Sequence, residues 1–133
     1  MIAVDSSVWI DFLGGRDTAH VNLLAGYLDR HASEVALVDL VLTEVLQGLP
    51  DEHVAKVEAT LLELDVLRLE WIRDFRAAAG LYRAARKSGV TIRGTVDCLI
   101  AAVCIRENVP LLHADADFDR LAEISELSTI RVG

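Results

Sequence analysis

The sequence predicts an α/β fold in three layers, a parallel five-stranded sheet with helices on both faces. Three observations carry this expectation. Short apolar runs alternate with longer stretches of helical periodicity along the chain, the pattern of successive βα units. The short runs read as strands buried on both sides, which is where parallel sheets put them. The 133 residues hold no repeat, low-complexity tract or linker, and Pro50 and Pro110 punctuate rather than divide. One domain spanning 1–133, with one core, is therefore expected.

The elements follow in order. Ile2–Val4 is the first strand. Ser6 to Leu13 is a helix that Gly14-Gly15 ends. Thr18 can cap a second helix carrying Val21, Leu24 and Leu28 on one face. Val35–Val38 is the second strand. Leu40–Gln47 is helical and stops at Gly48-Leu49-Pro50. Asp51 opens a helix with Val54, Val57 and Leu61 inward, and Val66–Leu69 is the third strand. Trp71 to Ser88 is a long amphipathic helix whose apolar stripe reads Trp71, Phe75, Ala78, Tyr82 and Ala85. Gly89 stops it. Thr95 caps a helix from Val96 to near Glu107. Leu111–Leu112 is the fourth strand, Phe118 to Glu123 a short helix, and Thr129–Val132 the fifth strand.

Composition narrows the function classes. Apolar residues make up 53% and mean hydropathy is +0.35, which excludes a disordered chain. The longest unbroken apolar run, Cys98 to Ile105, is far below the roughly 18 residues a membrane span needs. The N-terminal MIAVDSS carries no basic leader and has an acid at position 5, unlike a secretion signal. Cys98 and Cys104 sit six apart on one helix, about 9 Å along its axis, too far to bridge. They read as buried structural thiols in a reducing compartment, and a cytoplasmic location is expected. Lys and Arg total 13 against 21 Asp and Glu, a net charge of −8, at first sight a poor match to nucleic acid.

Several acids stand where solubility does not need them. Asp5 directly follows the first strand, at the carboxyl edge of a parallel sheet, where such folds bind ligands; locally it also reads as a helix cap. Glu44 lies on the narrow polar strip Thr43, Glu44, Gln47 of an otherwise apolar helix. That strip can face water or a site. Asp97 is the only charged residue from Val96 to Ile105. A helix apolar all round is buried, and a carboxylate at its entrance is costly unless paired or metal-bound. HADADFD brings Asp115, Asp117 and Asp119 directly after the fourth strand. A calcium loop is excluded there, because Arg120 occupies the position that needs Gly. Gathered carboxylates repel one another, and a divalent cation removes the conflict. Hard oxygen donors select Mg²⁺ or Mn²⁺. The four histidines, His20, His31, His53 and His113, are scattered, and His113 reads as a surface or edge residue. No dinucleotide or Walker-type glycine motif occurs.

At these residues the chain resembles the PIN-domain ribonucleases, and within them the VapC toxins of VapBC toxin–antitoxin pairs. VDSSVWIDFL, EVLQG, TVDCLIAA and HADADFDRLA match the family blocks in order and spacing, over positions 1 to 122. The resemblance implies a PIN-like α/β/α sandwich around a parallel five-stranded sheet. It assigns Asp5, Glu44, Asp97 and Asp115 as metal-binding and catalytic acids and Asp117 as an accessory metal acid. Ser6 and Thr95 become supporting hydroxyls. The implied activity is Mg²⁺- or Mn²⁺-dependent endonucleolytic hydrolysis of RNA by a toxin that a cognate VapB-type antitoxin inhibits. A homodimer is implied as well. The alternative is a non-catalytic PIN-like binding module acting within a partner or DNA-binding complex; the full set of acids argues against it.

The basic residues are unevenly spread. Arg73, Arg76, Arg83, Arg86 and Lys87 share their stretch with one acid, Asp74. They read mainly as a solvated face opposite the Trp71 stripe. Arg93, just before the Asp97 helix, is the candidate for contact with substrate phosphate. Trp9, Phe12 and Leu13 on the first helix are candidates for an antitoxin groove or for core packing.

Overall fold

Ile2, Ala3 and Val4 are apolar at consecutive positions, so a strand made of them must be covered on both faces. The computed structural model describes residues 1–132 and buries all three. This strand, β1 (Ile2–Val4), pairs in parallel with β2 (Val35–Val38) on one side and β4 (Leu111–Leu112) on the other. β3 (Asp65–Leu67) pairs in parallel with β2. The strand order is β3-β2-β1-β4. β1, β2 and β4 are buried throughout, and β3 is an exposed edge.

Seven α-helices connect and cover the sheet: α1 (Ser6–Leu13), α2 (Ala19–Arg30), α3 (Asp39–Gln47), α4 (Asp51–Leu61), α5 (Trp71–Lys87), α6 (Thr95–Glu107) and α7 (Ala116–Glu123). The connections from β1 to β2 and from β2 to β3 step in one direction across the sheet. The connection from β3 to β4 returns past β1 and steps the other way. Right-handed crossovers then lay α1–α4 on one face and α5–α6 on the other. The direction reverses between β1 and β4, and at such a reversal the helices diverge and leave a crevice beyond the strand ends.

The predicted elements are present with four corrections. The sheet has four strands, not five. Thr129 makes a single parallel bridge to Leu111, because β4 is only two residues long and leaves no template for a longer ladder. The third strand begins at Asp65 and ends at Leu67, since the Leu69 N–H donates instead to Asp39 Oδ2 (3.0 Å) and draws the chain out of the ladder. Thr95 is the first residue of α6 and does not cap it: Gly94 holds the cap position and no side chain bonds there.

The largest correction concerns α5. Trp71 is 74% exposed, and Phe75 and Tyr82 are also exposed. The buried face is Asp74, Ala78 and Ala85, with Leu81 packed against the core. α5 lies against α6 along its length, and the small side chains at 78 and 85 allow close approach. The interface carries an ion pair. Asp74 is 1% exposed and accepts from Arg106 Nε (3.0 Å) and Nη2 (2.9 Å) and from the Glu70 N–H. Arg106 also reaches the Arg68 carbonyl (2.7 Å). Burial raises the Asp74 carboxyl, but the Arg106 and Glu70 hydrogen bonds outweigh it and hold the group below its ordinary range. No helix among the described residues is long and apolar enough to cross a membrane.

Removing one partner of a buried pair strands the other charge. Asp74→Ala is expected to lower stability by about 3 kcal/mol in urea denaturation, and Asp74→Leu combined with Arg106→Met to recover most of that loss. A double variant as unstable as the single one would contradict the assignment.

Candidate metal centre

The site forms where β1 and β4 end side by side. The Asp5 N–H donates to the Leu112 carbonyl (2.9 Å), so the residue after β1 is still locked to β4. Asp5 is also the N-cap of α1. Its Oδ2 accepts from the Ser7 N–H (3.1 Å) and the Ser7 hydroxyl (2.6 Å). Its Oδ1 is buried and has no hydrogen-bond partner among the described residues. The capping role and a ligand role thus fall on different oxygens of one carboxylate.

Asp115 is placed in the same way at the end of β4. It is the N-cap of α7, and its Oδ1 accepts from the Asp117 N–H (2.9 Å). The Asp115 N–H donates to His113 Nδ1 (3.2 Å). This leaves the other ring nitrogen, Nε2, facing Asp119 at 3.4 Å. His113 is buried, 6% exposed, and packs on Phe118. Burial lowers its pKa below the ordinary value.

Asp97 lies in the first turn of α6, ahead of a middle segment in which Cys98 and Ile100 to Cys104 are buried. Asp97, Asp115 and Asp117 each offer a carboxylate oxygen within 4.8 Å of the others. Glu44 stands on α3 beside them, its Oε1 accepting from the Ser6 hydroxyl (3.2 Å). Asp5 and Glu44 lie outside the 4.8 Å group, yet both raise the Asp97 carboxyl. Burial and then repulsion from Asp5, Asp115, Glu44 and Asp117 push it up to about 7. Burial also raises Asp5 and Glu44, with hydrogen bonds from Ser7 and Ser6 in partial offset.

Asp117 differs. It is 0% exposed, and both oxygens are engaged. Oδ2 accepts from the Arg93 N–H (3.1 Å) and Nε (3.2 Å), and Oδ1 from Arg120 Nη1 (2.6 Å). Burial raises its pKa, but these bonds prevail and hold it below the usual carboxylate range. Arg93 reaches further, to Asp115 Oδ1 (3.1 Å).

Every acid singled out in the sequence is therefore drawn to this end of the sheet. Thr95 is exposed and makes no side-chain hydrogen bond there. Sequence reasoning missed Ser7, which bonds Asp5 and also accepts from the Ala114 N–H (3.1 Å), tying the β1 end to the β4 end. The second serine of Asp5-Ser6-Ser7 was its only signal. His113 was placed at an edge, but its burial and its bond to Asp115 depend on the fold.

The donors are all hard oxygens, several buried, with one buried carboxylate oxygen left over. This set fits Mg²⁺ or Mn²⁺ and offers no thiolate or imidazole ligands of the kind zinc prefers.

The raised Asp97 pKa fixes a pH dependence. A free Asp titrates near 4, so between about 4 and about 7 the folded chain keeps a proton that the unfolded chain has released. Metal-free stability contributed by Asp97 is full below the lower value and is lost as pH rises through about 7. Urea denaturation in EDTA is expected to show this fall, and Asp97→Asn to flatten it. The buried His113 works in the opposite direction in both proteins, so the difference between them isolates Asp97. An identical slope in the variant would contradict the assignment.

A model of the PIN domain matches residues 2–124. The chain is 37% identical, over 128 residues and 96% of each chain, to the VapC ribonuclease Mb1587 of Mycobacterium bovis and to the ribonuclease VapC11 of Mycobacterium tuberculosis. Among solved structures it superposes on FitAcB from Neisseria gonorrhoeae with a TM-score of 0.77 at 18% identity, covering 98% of this chain and 97% of that one. DNA-bound VapBC from Salmonella typhimurium gives 0.76 at 16%, covering 98% of each. At these identities the structural matches establish the fold, which agrees with the sheet order and the crevice described above. With acids gathered at the reversal point of that sheet and curated relatives at this level of identity, the chain belongs to the PIN-domain family, alongside the VapC ribonucleases.

Proposed function

We propose that this chain is a Mg²⁺- or Mn²⁺-dependent endoribonuclease, the toxin of a type II toxin–antitoxin pair acting in the cytoplasm. The observation that carries the reading is the unpartnered buried Oδ1 of Asp5 beside Asp97 and Asp115. Such an oxygen is costly in an apolar setting and is satisfied by a cation. Asp5, Glu44, Asp97 and Asp115 would hold the metal, with Asp117 as an accessory acid. A bound divalent ion supplies Lewis-acid chemistry, lowering the pKa of water and offsetting charge on the scissile phosphate. The chain's own residues do the positioning. Ser7 holds Asp5 Oδ2 and leaves Oδ1 without a partner, Ser6 orients Glu44, and His113 fixes the backbone of Asp115. No side-chain nucleophile is required for such a hydrolysis, since an activated water would serve as the nucleophile.

The names of the relatives support RNA as substrate, and the solved VapBC assemblies support a VapB-type antitoxin. A small apolar groove of about 190 Å³, lined by Trp9, Phe12, Leu13, Leu28 and Val57 among others, suits an apolar segment of such a partner. The exposed Trp71, Ile72 and Phe75 on α5 suit a second copy of the chain in a homodimer.

Asp5→Asn and Asp97→Asn are each expected to abolish metal-dependent RNA cleavage, a loss of at least about 100-fold, with circular dichroism unchanged. Unchanged cleavage by both would refute the reading. Sequencing 5′ ends of cellular RNA after expression, with Asp97→Asn as control, identifies the RNA that is cut.

A further inference from the structure

Asp117 is counted with the acids by proximity, yet most of its acceptor capacity is already used. Each carboxylate oxygen offers about two acceptor positions. Oδ1 of Asp117 takes Arg120, and Oδ2 takes both the main-chain N–H and the Nε of Arg93. Two guanidinium groups therefore stand beside it and oppose a second cation. Asp5 Oδ1, in contrast, has no partner. The Arg93 side chain is 73% exposed, and its outer nitrogen Nη2 rests on Asp115 Oδ1. Arg93, Asp117 and Arg120 also line an open depression of about 520 Å³, together with Gly89, Val90 and Thr91. Arg93 is thus anchored to the buried Asp117 through its main-chain N–H and through Nε, while its outer nitrogen makes one exposed bond to a residue that also faces the centre.

We propose that Asp117 is a positioning residue rather than a metal ligand, and that it holds Arg93 as an exchangeable cation: Arg93 covers Asp115 in the metal-free chain and turns its freed Nη2 to an RNA phosphate at the depression once a divalent ion takes Asp115. The inference rests on the metal-dependent RNA cleavage proposed above. Its consequence is an order of events. The centre loads its ion in competition with Arg93, and the phosphate ligand becomes available only in the loaded chain. The positive charge that stabilises the empty site is then the charge that grips the substrate.

Mn²⁺ binding to the purified chain, measured by calorimetry and by electron paramagnetic resonance without RNA, tests the exchange directly. Arg93 is exposed, so Arg93→Gln should fold normally. With the competing cation removed, its Mn²⁺ dissociation constant is expected to fall about threefold, the scale of an exposed ion pair. With RNA present, the same variant is expected to raise KM about fivefold and to leave kcat within about twofold, the mark of a lost binding contact. Asp117→Asn, checked for folding by circular dichroism, is expected to bind Mn²⁺ at least as tightly as the original chain. An original chain that takes up no Mn²⁺ overturns both the metal reading and the exchange. Uptake by the original chain with unchanged affinity in Arg93→Gln overturns the exchange alone, and an unchanged KM overturns the phosphate contact. A tenfold loss of Mn²⁺ affinity in a folded Asp117→Asn makes Asp117 a ligand and overturns its positioning role.

Discussion

Two parallel strands that end side by side, each followed by an aspartate, set the terms for the rest of this molecule. The register of β1 against β4 pairs Ala3 with Leu111 and Val4 with Leu112, so Asp5 and the segment leading to Asp115 leave the sheet together. Asp97 enters from the buried helix α6, and Glu44 from α3. Four carboxylates around one crevice repel one another, and burial denies them the solvent that would screen the repulsion. The fold manages this with hydrogen-bond donors: Ser7 on Asp5, Ser6 on Glu44, Arg93 on Asp115, Arg93 and Arg120 on Asp117. What the donors leave uncompensated is concentrated at Asp97 and at one oxygen of Asp5.

The structural and functional readings of these acids prove to be compatible. Asp5 caps α1 with one oxygen and keeps the other free. Asp115 caps α7 while facing the crevice. Capping fixes the rotamer of each carboxylate, and a fixed rotamer is what a preorganised metal ligand needs. The remaining helix contacts secure the frame, chiefly the α5–α6 interface around the buried Asp74–Arg106 pair.

The elements and the acids were legible in the sequence because each follows from local pattern: consecutive apolar residues for β1 and β2, a lone acid in an apolar helix for Asp97, acids directly after strands for Asp5 and Asp115. The facing of α5 was not. The expected stripe runs through Trp71, Phe75, Ala78, Tyr82 and Ala85, and a second one, rotated about the helix but sharing both alanines, runs through Asp74, Ala78, Leu81 and Ala85. Side-chain size favours the first. The fold buries the second, because Arg106 on α6, 32 residues from Asp74, supplies the partner that lets an aspartate face inward. The fifth strand failed for a similar reason, since its length is limited by its two-residue neighbour. The engagement of Asp117 by Arg93 was equally hidden, because it depends on a contact between residues 24 apart.

The net charge of −8, at first an argument against nucleic acid, is partly the charge of this centre and is offset when a cation occupies it. The most direct measurement is a crystal structure from Mn²⁺-soaked crystals, with anomalous scattering to locate the ion. The expected result is a peak in the crevice bounded by Asp5, Glu44, Asp97 and Asp115, coordinated by carboxylate oxygens of these residues. A well-ordered soaked crystal with no peak among these acids, or with its only peak elsewhere on the surface, would contradict the account.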